Sequence, residues 1–210
     1  MLRDIRNNYQ QNKLEEDQLT NKPIALFETW INEAIHEKAN EPTAMVIATA
    51  VNNQPDTRIV LLKEIKDECL IFYTNYQSSK AQQIDNNNQV AINFFWPELE
   101  RQVRIKGTIS KPDNKISADY FNTRPRESQL GAWASNQSQV LKNREELENK
   151  YHQLEKQYEG KTIPMPNHWG AYQVKPFEIE FWQGRPSRLH DRIRYYKTTE
   201  GEWKFKRLSP

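Results

Sequence analysis

Residues 43–110 read TAMVIATAVNNQPDTRIVLLKEIKDECLIFYTNYQSSKAQQIDNNNQVAINFFWPELERQVRIKGTIS. Five runs within this stretch, TAMVIATAV, TRIVLLKEI, CLIFYTN, VAINFFW and ERQVRIKGTIS, have the composition of strands. Turn formers such as NNQPD and IKDE separate them. Five strands with short connections imply an antiparallel sheet or barrel. Between the third and fourth runs SSKAQQIDNN suits a short helix, as does NKISADYFNTR after the fifth. Upstream, Phe27, Trp30, Ile31, Ala34 and Ile35 follow the helical period from a first-turn Pro23, giving an amphipathic helix that covers one end of the sheet. Downstream, NREELENKYHQLEKQYEG carries Leu147, Tyr151, Leu154 and Tyr158 on one stripe, with Gly160 as its stop. IPMPNHWG then reads as a loop, and EIEFWQG, HDRIRYYK and EWKFKRL as closing strands. Residues 1–20 are polar and aperiodic, which suggests a mobile arm. With no internal repeat or linker, residues 21–210 form one domain, mainly β with peripheral helices.

The 210 residues can bury a core without metals or disulfides. Thirty Lys and Arg against 28 Asp and Glu leave a net charge of +2, too little for bulk attraction to nucleic acid, so anion binding has to be local. The lone Cys69 cannot form an internal disulfide and sits in an apolar run, which fits a buried thiol in a reducing cytoplasm. No run approaches the length of a membrane helix, and the N-terminus lacks the apolar core of a signal peptide. Mean hydropathy is low at -0.97. Six Trp, nine Tyr and eight Phe nevertheless offer packing and flat surfaces for an aromatic ligand.

Four constellations carry possible chemistry. In residues 180–192, EFWQGRPSRLHDR, alternation breaks after Gly184, and Arg188, His190 and Arg192 recur at every second position. An extended backbone would turn all three to one side, around an anion. RIVLLK brackets an apolar strand with Arg58 and Lys63. YTNYQSSKAQQ ends a strand with Tyr73 and Thr74 and opens a helix with Ser78, Ser79 and Lys80, a phosphate-binding pattern that a simple N-cap also explains. YFNTRPRESQLGAW puts Tyr120 and Arg124 four apart, with Ser128 in the first turn of the next helix. Taken singly, each of these last three has an ordinary structural explanation. His36, His152 and His168 have no neighbour at metal-ligand spacing, so no metal site is expected.

Together, and in order along almost the whole chain, NEPTAMVIATA, TRIVLLK, FYTN, SSKAQQI, ERQVRIKG, YFNTRPRESQLGAWAS, NQS, IEFWQGRPSRLHDR and RLSP resemble the pyridoxine/pyridoxamine 5'-phosphate oxidase family. The resemblance implies an FMN-binding split β-barrel, antiparallel and homodimeric, with the flavin between subunits in a cytoplasmic enzyme of vitamin B6 metabolism. It implies oxidation of the C4' alcohol or amine to pyridoxal 5'-phosphate, with O2 reoxidising the flavin to give H2O2. Arg58, Ile59, Val60, Leu61, Leu62, Lys63, Tyr73, Thr74, Ser78, Ser79, Lys80, Gln102, Gln137, Ser138, Trp182 and Arg192 would surround FMN. Lys63, Tyr120, Arg124 and Ser128 would hold the substrate phosphate. Arg188 and His190 would sit at the reacting end, with Arg6 and Tyr9 closing over it, and Arg192 would stabilise charge on the reduced flavin. One departure is Ser79, where the family commonly has Arg; this implies weaker FMN binding. A flavin reductase or redox-inactive FMN carrier on the same barrel would have no use for the second phosphate cluster. A nucleic-acid-binding barrel conflicts with the near-neutral charge and with the acids interleaved in ERQVRIK and RLHDR.

Overall fold

The structure is a computed structural model that describes residues 1–4 and 7–210. Its sheet is built from β1 (Ala44–Val51), β2 (Gln54–Leu61), β3 (Glu64–Lys66), β4 (Cys69–Asn75), β5 (Gln89–Trp96), β6 (Arg101–Ser110), β7 (Trp169–Gln183), β8 (Asp191–Lys197) and β9 (Trp203–Arg207). All pairs are antiparallel. The order is β2-β1-β5-β6-β7-β4-β3, with β8 on β7 and β9 on β8. Asn52 and Asn53 both take positive φ in the β1–β2 turn, as do Asp67 and Glu68 between β3 and β4, so both hairpins have the twist that short loops favour.

The run 57–65, TRIVLLKEI, is not one strand. β2 pairs with β1 up to the Ala44–Leu61 couple, and β3 then pairs with β4 from Glu64. Across the break the Leu62 N–H donates to Thr43 O at 2.9 Å and the Lys63 N–H to Ile71 O at 2.9 Å. Because β2 and β3 are the two ends of the strand order, this short exchange of partners brings the ends of the sheet together as a split barrel. β7 also differs from expectation. It begins at Trp169 inside the expected loop, because Trp169 is buried and pairs with Asn75. Its first half lies between β6 and β4 and its second half between β6 and β8. The β6–β7 register shifts at Lys106 and Gly107.

Helix α1 (Pro23–His36) packs Phe27 on Phe94, with centroids 5.0 Å apart, and Trp30 edge-on against Phe181 at 5.1 Å. Ile35, expected on its apolar stripe, is exposed. Four further helices follow: α2 (Ser79–Asn86), α3 (Asn114–Thr123), α4 (Arg126–Ala134) and α5 (Arg144–Gln157). Asp113 caps α3 and Asn143 caps α5 through side-chain oxygens that accept backbone N–H bonds. A second small core of Phe121, Leu130, Ile163 and Trp169 receives Tyr151 and Leu154 of α5 and the adjoining Tyr158. Part of the expected arm over residues 1–20 is held to the body, and Leu14 is buried in the main core.

Candidate active site

Two cavities collect the expected site residues. The first, of about 500 Å³, opens where β2, β4 and the α3–α4 corner meet. Its walls include Lys63, Tyr73, Lys80, Tyr120, Arg124 and Ser128, together with Ile59, Val60, Leu61, Thr74 and Gln137. Lys80 lies in the first turn of α2 and is buried; its ammonium donates to Thr74 Oγ1 (3.1 Å), Ser78 Oγ (3.2 Å) and Gln137 Oε1 (3.0 Å). Burial, reinforced by the nearby Arg58 charge, brings its pKa down to about 8. Arg124 ends α3, and its guanidinium lies 4.7 Å from the Trp169 ring centre. One terminal nitrogen, Nη1, is buried without a hydrogen-bond partner, and burial lowers the Arg124 pKa. Among the described residues neither Lys80 nor Arg124 has a carboxylate partner. Two such cations beside one cavity are the complement of bound anions.

An aromatic wall backs these cations. Tyr73 stacks on Tyr120 at 3.9 Å and 17°, and lies nearly parallel to Trp169 at 5.4 Å. Burial pushes the Tyr73 phenol up to about 12, so it stays protonated as a donor. Trp169 was not singled out from the sequence, because it belonged to an aperiodic segment with no spacing cue.

Other expected residues have ordinary partners. Arg58 donates to Thr49 Oγ1 (2.7 Å), Asp56 Oδ2 (2.5 Å) and Gln83 Oε1 (2.8 Å), so an acid already partly neutralises it. The Leu62 side chain is turned into the core. Ser78 is fully buried and donates to Asn75 O at 2.7 Å, while Ser79 is exposed at the start of α2. Ser138 is exposed with φ of 71°.

The second cavity, of about 630 Å³, is lined by Tyr9, Trp182, Arg185, Ser187, Arg188 and His190, with Asn7 and Asn8. Its backbone is not extended as the alternating charges suggested. Pro186–Arg188 forms a tight 3₁₀ turn with Ser187 and Arg188 at φ of 58° and 63°. The turn separates Arg192 from the other two: Arg192 sits on β8, bonded to Glu180 (2.9 and 2.8 Å) and to Ser209 O (2.9 Å). It is therefore paired with an acid, and the expected three-cation face does not form. Gln102 pairs with Trp182 across β6 and β7. The Trp182, His190 and Tyr9 rings cluster at 4.6 to 5.6 Å. The Arg185 N–H donates to His190 Nδ1 at 3.1 Å, which leaves the proton of the neutral ring on Nε2. Burial and then the Arg188 charge lower the His190 pKa and favour that neutral form, against a smaller opposing effect of Asp191. Arg185, absent from the sequence reading, fixes the tautomer through its backbone, which no side-chain pattern records. Arg6 lies outside the described residues.

The cavities share no lining residue. Trp169, in the wall of the first cavity, and Trp182, in the wall of the second, mark opposite ends of β7.

A sequence model of the family described as "Pyridoxamine 5'-phosphate oxidase" matches residues 31–158. Another, described as "Pyridoxine 5'-phosphate oxidase C-terminal dimerisation region", matches residues 169–210. A curated relative from Actinobacillus pleuropneumoniae, named pyridoxine/pyridoxamine 5'-phosphate oxidase, is 51% identical over 100% of this chain and 99% of its own. One of the same name from Leptospira interrogans is 46% identical over 99% and 97%. Among solved structures, PhzG from Burkholderia lata, in complex with tetrahydrophenazine-1-carboxylic acid, superposes with a TM-score of 0.90 at 27% identity, covering 97% of this chain and 100% of that one.

Proposed function

Since the chain belongs to the pyridoxamine 5'-phosphate oxidase family, we propose that it oxidises pyridoxine and pyridoxamine 5'-phosphates at C4' to pyridoxal 5'-phosphate, with FMN as cofactor and O2 as acceptor. The observation that carries this reading is the pair of cations, the buried Lys80 and the half-buried Arg124 with its unpartnered Nη1, that line one cavity without carboxylates. FMN and substrate each bring a phosphate, and two separate anion holders beside one aromatic wall fit both. A flavin reductase needs only one.

In this reading Lys80 and Arg58, with the Thr74, Ser78, Ser79, Gln137 and Ser138 side chains, hold the FMN phosphate. Lys63, Tyr120, Arg124 and Ser128 hold that of the substrate. When bound, FMN supplies the two-electron acceptor, which O2 restores with release of H2O2. His190 offers an Nε2–H donor to the pyridine and Arg188 a cation, so that the reacting carbon is held in one orientation; such positioning supplies much of the rate in a hydride transfer. Donors around the phosphate, remote from the reacting carbon, bind ground and transition states alike and govern KM.

In this reading one ligand draws on residues of both cavities, which lie towards opposite ends of β7 and share no lining residue within a chain. A two-fold dimer can set the first cavity of one protomer against the second of its partner, and does so twice. The match of residues 169–210 to a dimerisation region supports that arrangement. Among the described residues no helix is long and apolar enough to cross a membrane. A cytoplasmic setting accords with the single buried, unpaired Cys69.

The test is anaerobic. Pyridoxine 5'-phosphate added to the FMN-loaded protein should bleach the flavin absorbance, whereas pyridoxine without its phosphate should fail at the same concentration. An unbleached flavin, or equal bleaching by both, overturns the assignment.

A further inference from the structure

Tyr9 forms part of the wall of the second cavity, and the strap over residues 9–16 that begins with it is fastened to the body at both ends. At one end the Glu100 carboxylate accepts the backbone N–H bonds of Gln10 (2.8 Å) and Gln11 (3.0 Å). The strap runs so close to the body here that a Cβ on Gly184 would lie 2.7 Å from Tyr9 Cγ. At the other end Arg207 of β9 grips Glu16 through Nε (2.5 Å) and Nη2 (2.7 Å), and Nη2 also donates to Leu14 O at 2.8 Å. The remaining nitrogen, Nη1, donates to Asp191 Oδ1 at 2.7 Å. Asp191 Oδ2 accepts the Leu14 N–H at 3.1 Å and Arg185 Nη1 at 2.9 Å. One carboxylate therefore joins the strap, the last strand and the loop whose backbone sets the His190 tautomer. Bonding to Arg207 brings the Glu16 pKa down to about 2, so the clasp stays ionised at neutral pH.

We propose that Arg207 is a positioning residue: with Glu16 and Asp191 it clasps residues 9–16 so that Tyr9 stays against Trp182 and His190 as one wall of the second cavity. The proposal rests on the substrate reading above for its effect on KM, but the clasp itself does not. Neither Arg207 nor Glu16 lines either cavity, so their removal acts on the substrate only through the strap. The Glu16 pair is partly exposed, which makes it sensitive to salt.

The experiment compares the parent with Arg207→Ala, Arg207→Lys, Glu16→Gln and the double variant Glu16→Gln/Arg207→Ala, all FMN-loaded. Arg207→Ala should raise KM for pyridoxine 5'-phosphate by about fivefold, the upper range for breaking an exposed ion pair. The turnover at saturation and the FMN affinity should stay within twofold of the parent. Arg207→Lys should recover part of the loss, and the double variant should be no worse than Arg207→Ala. In the parent KM should climb with added NaCl, and in Arg207→Ala that climb should flatten. Trypsin should cut within residues 1–20 faster in Arg207→Ala. An unchanged KM overturns the proposal, and so does a parallel fall in turnover, FMN affinity and dimer content, which marks a merely structural role. A parent inert to pyridoxine 5'-phosphate overturns the substrate reading instead, and faster cleavage in the variant would then still support the clasp.

Discussion

Lys80 is an ammonium taken out of water with only neutral oxygens around it, and that has opposite consequences for the free and liganded protein. Its pKa of about 8 lies below the 10.5 of an exposed lysine. Between those values the folded chain binds fewer protons than the unfolded chain, so the apoprotein gains stability as pH rises from about 8 towards 10.5, and the cost of the buried charge is fully present below 8. On the proposed reading FMN binding runs the other way, because there the phosphate pairs with the ammonium. FMN affinity is expected to fall as pH rises through about 8, and Lys80→Met should bind weakly with a flat profile. Fluorescence titration of apoprotein between pH 7 and 9.5 reads this; an equally steep profile in the Met variant would assign the titration elsewhere. The residue types of this site were legible in the sequence, since hydroxyls and a lysine opening a helix form a recognisable pattern. Which cations lack a partner was not legible. Glu180 lies twelve residues from Arg192, and only the β7–β8 register puts them side by side. Asp56 is likewise two residues from Arg58, so both side chains are on the same side of β2 and meet.

Most elements could be read from the sequence, because strands with one buried face alternate and α1 keeps the helical period. The misreadings fall where chain geometry changes without a change in composition. The run over residues 57–65 passes from β1 to β4 around Leu62 and Lys63 with no Gly, Pro or turn former to mark the point, and a period-2 pattern cannot mark an exchange of partner. The turn at Pro186–Arg188 hides in a sequence whose charges happen to alternate. Gly107 marks another such point, where the β6–β7 register shifts and no side chain fits: a Cβ would lie 2.6 Å from Val174 Cγ1 and 2.8 Å from Lys175 O. The backbone oxygen cannot rotate away as a side chain can. Gly107→Ala should therefore destabilise by about 1 to 3 kcal/mol. At about 2 to 4 °C per kcal/mol for a chain of this size, that lowers Tm by several degrees. Thermal unfolding followed by circular dichroism measures it; an unchanged Tm would mean that the shifted register relaxes freely.

At the scale of the whole molecule, the two cavities lie towards opposite ends of one strand, and on the proposed reading a single chain presents two half-sites. A ligand lying across an interface binds only the associated state, so it stabilises the dimer by mass action, by about 2.7 kcal/mol at a concentration one hundred times its Kd. Sedimentation of dilute apoprotein should show dissociation that FMN reverses, and a monomer holding FMN tightly would refute the shared site. The same strand also orders events during synthesis. β4 ends at Asn75 and β6 at Ser110, yet β7, which lies between them, begins only at Trp169. Until it emerges from the ribosome, two hydrophobic strands each keep a bare edge, and closing them requires a distant segment to return at the entropic cost of a long loop. Folding of the barrel is thus a late, long-range event, and the nascent chain spends a long stretch of its synthesis in a form able to pair with its neighbours.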